Sequence, residues 1–300
     1  MIDLAHLLSL QGQLFLLMLT GFFLRRRMLS DAFQSGLTDL LINLILPCNI
    51  IMSFQIEMNA ALLQAAKWVL ILSFAVQLVS IVAAELFYRR CDEGNLPSLK
   101  FGTLCANSGF LGTPVAEGLW GAQGVLLTAV YLIPQRIVMW SIGTSYFQKE
   151  KSNLALKLLK NPCIDAVIIG MALMVFQIPL PIVLNSAISA FGKCNTGLSM
   201  LLIGMIASHI HLRDFINREI LLCSAVRLVF LPLASLALCR LAHVDAVSTG
   251  AVVVLTSMPV GGITAMLAAK YCRNPEFAVS CVATSTVLSM ATIPVWTMLL

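Results

Sequence analysis

About ten apolar segments, each of roughly 18–25 residues, follow one another along the chain with only short polar breaks between them. A helix of that length crosses about 30 Å of hydrocarbon. Of the 300 residues, 59% are hydrophobic and 11% are charged, whereas soluble domains are about 25% charged. The sequence therefore predicts an all-α integral membrane protein with ten transmembrane helices. The predicted helices cover residues 4–24, 36–56, 62–87, 98–119, 122–147, 162–178, 186–207, 217–240, 246–269 and 276–299.

The distribution of basic residues indicates how these helices are oriented. If the N-terminus is outside, fourteen of the 19 Lys and Arg residues fall in cytoplasmic loops, as the positive-inside rule requires. They are Arg25, Arg26, Arg27, Arg89, Arg90, Lys100, Lys149, Lys151, Lys157, Lys160, Arg213, Arg218, Lys270 and Arg273. Orientation thus explains the net charge of +5, and we expect no nucleic-acid partner. We expect a multi-pass protein of the plasma membrane (the inner membrane of a bacterium) with both termini extracytoplasmic.

The longest loop, 148–161, separates residues 1–147 from residues 162–300, and each part contains five predicted helices. Because five is odd, the second set enters the membrane in the opposite orientation to the first. Inverted repeats of this kind are common in secondary transporters. The sequence therefore predicts a 5+5 inverted repeat whose halves are joined by a cytoplasmic linker.

Helix-breaking residues cluster in the middle of predicted helices four and nine. The clusters contain Asn107, Ser108, Gly109, Gly112 and Pro114 in the first helix, and Pro259, Gly261 and Gly262 in the second. Non-helical backbone at membrane depth is tolerated inside protein or beside a watery cavity, and a matched pair of breaks indicates a carrier's binding site. The alternative is that these residues only kink or closely pack the helices. From the matched pair we predict broken helices that cross near the bilayer centre.

Several motifs, in order along the whole chain, carry a family resemblance. They are residues 106–114 with 119–121, 161–162, 178–181, 258–259 and 284–286. Together they resemble the auxin efflux carrier family, within the superfamily of transporters similar to bile-acid, arsenite and riboflavin carriers. The resemblance implies crossed, broken helices four and nine beside a central site, organic anions such as small carboxylates as substrates, and a homodimer. It also implies that Asn107 and Asn161 belong to that site.

The chain departs from the family pattern at three places. Gly197 stands where a proline is usual, and Asp165 and Glu117 replace residues that are usually apolar or hydroxylic. Either acid is a candidate for coupling to H+ or Na+. Asp165 has an alternative interpretation, since an acid in the first turn of a helix complements the helix dipole.

Charged residues inside membrane helices are costly and usually functional. Arg136, beside Gln135, and Arg227 lie near mid-depth, whereas the acids within the predicted helices lie nearer their ends. A positive midplane suits a carboxylate that accepts bonds from a guanidinium group. Alternatively, each arginine reaches a carbonyl or a distant acid and only locks helices together. Asn49 either faces the same cavity as Asn107 or bonds across helices.

These observations favour a secondary carrier of a small organic anion, and other functions remain open. A sodium- or proton-coupled carrier of another solute and a sensor that transports nothing are consistent with the sequence. An intramembrane enzyme is disfavoured because HExxH, GxSxG and paired mid-helix aspartates are absent, and a channel because rings of like charge are absent. We expect no cofactor and no metal site, since the nine cysteines include no CxxC pair.

Overall fold

The computed structural model describes residues 4–27, 30–55, 60–148, 162–208 and 217–300. Within these ranges the regular structure is helical, apart from one isolated antiparallel bridge between Ala106 and Val260. The predicted all-α class is therefore confirmed. The linker residues 149–161, and with them the candidate Asn161, lie outside the described ranges.

The helices of the described ranges are numbered here in chain order, and several contain a π-helical turn. They are α1, Leu4–Arg27; α2, Asp31–Leu40 with the π-helical Leu41–Ile45 and Leu46–Ser53; α3, Ala60–Phe87; α4, Leu96–Leu104; α5, the π-helical Ser108–Gly112 with Thr113–Val138 and the π-helical Met139–Gly143; α6, Pro162–Val175; α7, Ile182–Ala207; α8, Arg218–Ala225 with the π-helical Val226–Phe230 and Leu231–Leu241; α9, Ala246–Thr256; α10, Ile263–Lys270; and α11, Pro275–Met298.

Five helical stretches of the described chain are long and apolar enough to cross a membrane. They are Ala32–Met52, Leu63–Phe87, Leu126–Gly143, Arg218–Leu241 and Pro275–Met298. These stretches coincide with predicted helices two, three, five, eight and ten. The other five predicted transmembrane helices and the inverted repeat stay predictions at this point.

Local sequence explains where several helices begin. A side-chain oxygen accepts a hydrogen bond from a first-turn backbone N–H at four helix starts, which satisfies a donor that has no partner within the helix. The capping residues are Ser30, Asn217, Asp245 and Asn274. Within α5, Gly121 adopts φ 59° and ψ −142°, a conformation that glycine tolerates and other residues rarely adopt. The helix therefore kinks at the predicted boundary between helices four and five.

Helices α1 and α7 pack with their backbones in close approach. A Cβ atom added to Gly204 of α7 would overlap the carbonyl group of Met18, and one added to Gly21 of α1 would overlap that of Leu201. Small residues of this kind let membrane helices approach closely. Two glycines thus fix the distance between the two helices.

Candidate functional site

Two helices are interrupted where they meet in the core. Helix α4 ends at Leu104 and the chain resumes helical structure at Ser108, while α9 ends at Thr256 and α10 begins at Ile263. The bridge pairs Ala106 of the first interruption with Val260 of the second, and both residues are buried.

Reciprocal backbone hydrogen bonds flank this bridge. The N–H of Asn107 donates to the carbonyl of Pro259 over 2.7 Å, and the N–H of Gly261 donates to the carbonyl of Cys105 over 2.8 Å. In each bond, the donor is the residue that follows one bridge residue, and the acceptor is the residue that precedes the other bridge residue. Each interruption therefore satisfies polar groups that the other has freed from helical bonding.

Side chains donate hydrogen bonds to the remaining carbonyls of the first interruption. The carbonyl of Thr103 accepts from Nη1 of Arg227 over 3.0 Å, and that of Leu104 accepts from Nε2 of Gln77 over 3.5 Å. Gln135 Nε2 donates to the carbonyl of Ala106 over 2.8 Å. The carbonyls of 103 to 106 therefore all have partners, as backbone at membrane depth requires.

The second interruption is stabilised in the same way. Arg227 donates from Nη2 to the carbonyl of Thr256 over 2.8 Å and from Nε to that of Met258 over 3.0 Å. The hydroxyl of Ser285, on α11, accepts from the N–H of Val260 over 3.1 Å. Arg227 therefore fits the alternative interpretation of the mid-depth arginines, because its guanidinium group bonds backbone carbonyls and holds helices together.

A cavity of about 60 Å³ lies against the two interruptions. Since one water needs about 10–15 Å³ by such a measure, it accommodates a few waters or a small polar group. The cavity is lined by Leu46, Asn49, Ile50, Cys105, Ala106, Asn107, Gly109, Phe110, Leu132, Gln135, Arg136, Met139, Gly261, Gly262 and Ile263.

Four polar side chains predicted for the site line this cavity: those of Asn49, Asn107, Gln135 and Arg136. Asn107 and Gln135 are each 3% exposed, and their side-chain oxygens have no hydrogen-bond partner among the described residues. Buried amide oxygens without partners are uncommon in native proteins. Asn49 donates from Nδ2 to the carbonyl of Gly192 over 3.2 Å, so it both faces the cavity and bonds across helices.

Arg136 brings the cationic group to the cavity. Its side chain is 6% exposed, and the guanidinium carbon lies 5.5 Å from the ring centroid of Phe54, within the range of a cation–π contact. The described residues that line the cavity include no Asp or Glu. The arrangement places a positive charge and amide groups beside freed backbone.

The predicted glycines provide close approach at the interruptions. A Cβ atom on Gly261 would lie 2.9 Å from Cys105 Sγ and 3.1 Å from the Cys105 carbonyl oxygen, and one on Gly112 would lie 2.9 Å from Leu255 Cδ2. Gly109 and Gly262 line the cavity. Pro259 supplies a bridge-flanking carbonyl, and Pro114 lies in the first turn after the π-helical segment.

Three other candidates lie elsewhere or are engaged differently. The hydroxyl of Ser108 donates to the carbonyl of Leu255 over 2.7 Å, so it joins the two interrupted segments. Asp165 is exposed on α6. The side chain of Glu117 lies outside the described part of the chain.

Sequence reasoning missed two residues that support the site. Gln77 and Ser285 bond the interruptions from α3 and α11. Gln77 is 3% exposed near the middle of a mostly apolar helix, and a polar amide in such a setting was the available signal.

The chain is similar to known membrane transport proteins. The family model described as "Membrane transport protein" matches residues 11–297. A protein of Methanothermobacter thermautotrophicus described as an uncharacterized transporter is 25% identical over 222 residues, which cover 72% of this chain and 73% of that protein.

Proposed function

The chain belongs to the membrane transport protein family, the auxin efflux carrier family, and from that premise we propose that it is a secondary carrier of a small organic anion. Family and relative both support a membrane transporter. The finer assignment rests on the cavity at the crossing of the two interrupted helices. The anion, in this proposal, binds there and is exposed to each side of the membrane in turn.

The reciprocal bonds at the bridge are compatible with an inverted repeat. Asn107 donates to Pro259 and Gly261 donates to Cys105, an exchange that a two-fold rotation through the bridge would preserve. Inverted-topology repeats are related by a two-fold axis in the membrane plane. In our proposal, residues 1–147 and 162–300 are the two five-helix halves, and the interruptions are the broken, crossing helices four and nine.

The helices that follow the interruptions behave alike. Gln135, in the part of α5 beyond the kink at Gly121 (predicted helix five), bonds the first interruption, and Ser285 of α11 (predicted helix ten) bonds the second. In each proposed half, the helix after the broken one therefore supplies a polar side chain to the break. This agreement supports the repeat independently of the bridge.

Charge supports an anion as the substrate. Arg136 reaches the cavity, and no acid is found among the described lining residues. The helices that resume after each interruption begin there, with Gly109 and Phe110 from one and Gly262 and Ile263 from the other. Helix amino ends carry partial positive charge and free N–H donors. A carboxylate would complement both the guanidinium group and these ends.

Uptake into liposomes that contain the purified protein tests the proposal. Labelled small carboxylates should accumulate or exchange, and uncharged analogues of the same size should not, since they carry no negative charge to interact with the Arg136 guanidinium group. A thermal-shift measurement with the same compounds, across pH and with or without sodium, should show stabilisation by the transported anion. Binding without flux would indicate a sensor instead, and turnover of the compound an enzyme. Selectivity for uncharged solutes would contradict the anion assignment.

A further inference from the structure

Arg227 is a second arginine at the crossing, besides Arg136, and its guanidinium nitrogens bond backbone carbonyls. It lies in the π-helical segment Val226–Phe230 of α8 and is 1% exposed. All three of its donor nitrogens bond carbonyl oxygens, those of Thr103, Thr256 and Met258, over 2.8–3.0 Å. The ion pairs recorded for the described residues, between Lys100 and Glu85 and between Lys270 and Asp39, do not involve it.

These carbonyls belong to the carboxyl ends of two interrupted helices. Thr103 is in the last turn of α4, Thr256 is the last residue of α9, and Met258 follows within the interruption. Helix carboxyl ends carry partial negative charge and orphan carbonyls, which favour a cation. In carriers with broken helices such ends and unwound carbonyls coordinate the coupling Na+ or H+.

The surrounding structure holds Arg227 in place. The indole Nε1 of Trp296, on α11, donates to the carbonyl of Leu228 over 2.8 Å, next to Arg227 in the chain. In the other proposed half, Gln77 of α3 approaches the break from the preceding helix but bonds only the Leu104 carbonyl, over 3.5 Å. The helix before the break therefore contributes a neutral amide in the first proposed half and a full positive charge in the second.

We propose that Arg227 is a resident cation that takes the place of a metal ion at the helix crossing. It joins the carboxyl ends of α4 and α9 permanently, so the crossing forms without Na+. The extension to transport rests on the proposed carrier function: solute binding at the adjacent cavity does not require Na+, because the carbonyls that would hold the ion are bonded to the guanidinium group.

The first test compares the purified wild-type protein in NaCl and in N-methylglucamine chloride of equal ionic strength. We expect the same melting temperature in both, and this readout needs no solute. A large loss of thermal stability without sodium would overturn the proposal. If carboxylate uptake is found and is unchanged without sodium, the extension to transport holds. Uptake that requires sodium would overturn the extension, whereas a complete absence of uptake would count against the carrier function alone.

The second test removes the cation and returns it as a small molecule. Arg227→Ala should lower the melting temperature by about 5–10 °C, and millimolar ethylguanidinium, which matches the deleted atoms, should restore part of that loss. Arg240→Ala is the matched control, since Arg240 is exposed in the same helix, and it should show neither effect. An unchanged melting temperature for Arg227→Ala, or equal responses of the two variants to ethylguanidinium, would contradict a resident cation.

A milder variant covers the case in which Arg227→Ala does not fold. Arg227→Lys keeps the charge but cannot reach three carbonyls in the planar geometry of guanidinium. It should yield folded protein that melts below the wild type, while Arg227→Met, of similar length without charge, should melt lower still. Equal melting temperatures of the Lys and Met variants would show that the charge at this position has no role.

Discussion

Ala106 and Val260 lie opposite each other in a single antiparallel bridge, although 154 positions separate them in the sequence. The hydrogen bonds on either side of the bridge join the two helical interruptions into one unit. A shift of either segment alone would leave buried backbone groups without partners, which is costly in a low-dielectric interior. We therefore expect the two interrupted helices to move together.

Arg136→Gln tests the anion site. If the guanidinium group binds the substrate, its loss should weaken anion binding by about 1.5–3 kcal/mol, the scale of a charged hydrogen bond, or about 10- to 150-fold in Kd. Calorimetric titration of the folded variant measures this directly. Arg89→Gln, at an exposed position, is the control and should bind normally. Unchanged affinity together with a lowered melting temperature would assign Arg136 a structural role.

Asn107→Ala should reduce transport while the amount of folded protein stays near that of the wild type. The side-chain oxygen of Asn107 has no partner among the described residues, so its removal breaks no recorded side-chain bond there. Uptake per folded molecule is the measurement. Asn43→Ala is the control, because Asn43 is exposed and bonds only its own helix at Asp39. Equal uptake by both variants would remove Asn107 from the site.

Gly204→Ala should destabilise the protein, because the new methyl group would overlap the Met18 carbonyl and force α1 and α7 apart. Overpacking typically costs about 1–3 kcal/mol. Gly197→Ala, in the same helix, meets nothing within 4 Å and should be neutral or stabilising by up to about 1 kcal/mol through helix propensity. Thermal unfolding in detergent separates the two, and equal melting temperatures would contradict the close helix contact.

Asp245→Ala should lower stability by about 1 kcal/mol at neutral pH through the loss of a helix cap. Burial raises the pKa of the Asp245 carboxyl, but hydrogen bonds from the Ser248 and Val247 N–H groups outweigh it, and the pKa lies below its ordinary value of 3.8. Because the folded-state pKa is depressed, the ionic contribution is complete above the ordinary pKa and is lost as pH falls through the folded value. Asp245→Asn, which retains a cap, should abolish this acid-side dependence. A wild-type advantage over Asp245→Asn that is independent of pH would contradict the ionic contribution.

Topology follows from the basic loops. A reporter that is active only in the cytoplasm should be active when it is inserted between residues 148 and 160 and silent when it is fused after Leu300. The physical reason is the excess of Lys and Arg on the side of the linker. The opposite pattern would place both termini in the cytoplasm and reverse the assigned orientation.

Parts of the site could be predicted because they depend on local sequence. The clustered glycines and prolines of 107–114 and 257–262 indicated weakened helix in these two segments, since they remove donors or permit unusual dihedral angles. Single prolines do not have this effect, because Pro134 and Pro294 lie inside helices. Arg136 was singled out by its depth alone. The partners of Arg227 could not be predicted in this way, because Thr103 lies 124 positions away and its free carbonyl exists only where α4 ends.

The sequence by itself determined that this chain is helical and belongs in a membrane, because the length and apolar character of a segment decide whether it can leave water. It also predicted interruptions in these two regions, since Gly and Pro weaken the helical bonding of their own backbone, although the first interruption, at residues 105–107, lies just before the glycines and the proline of its cluster. Only the tertiary structure decided how the interruptions are satisfied, by the pairing of Ala106 with Val260, the amide of Gln135 and the guanidinium group of Arg227. Freed carbonyls in a low-dielectric core must find donors, and which donor lies within 3 Å is a property of how distant helices pack.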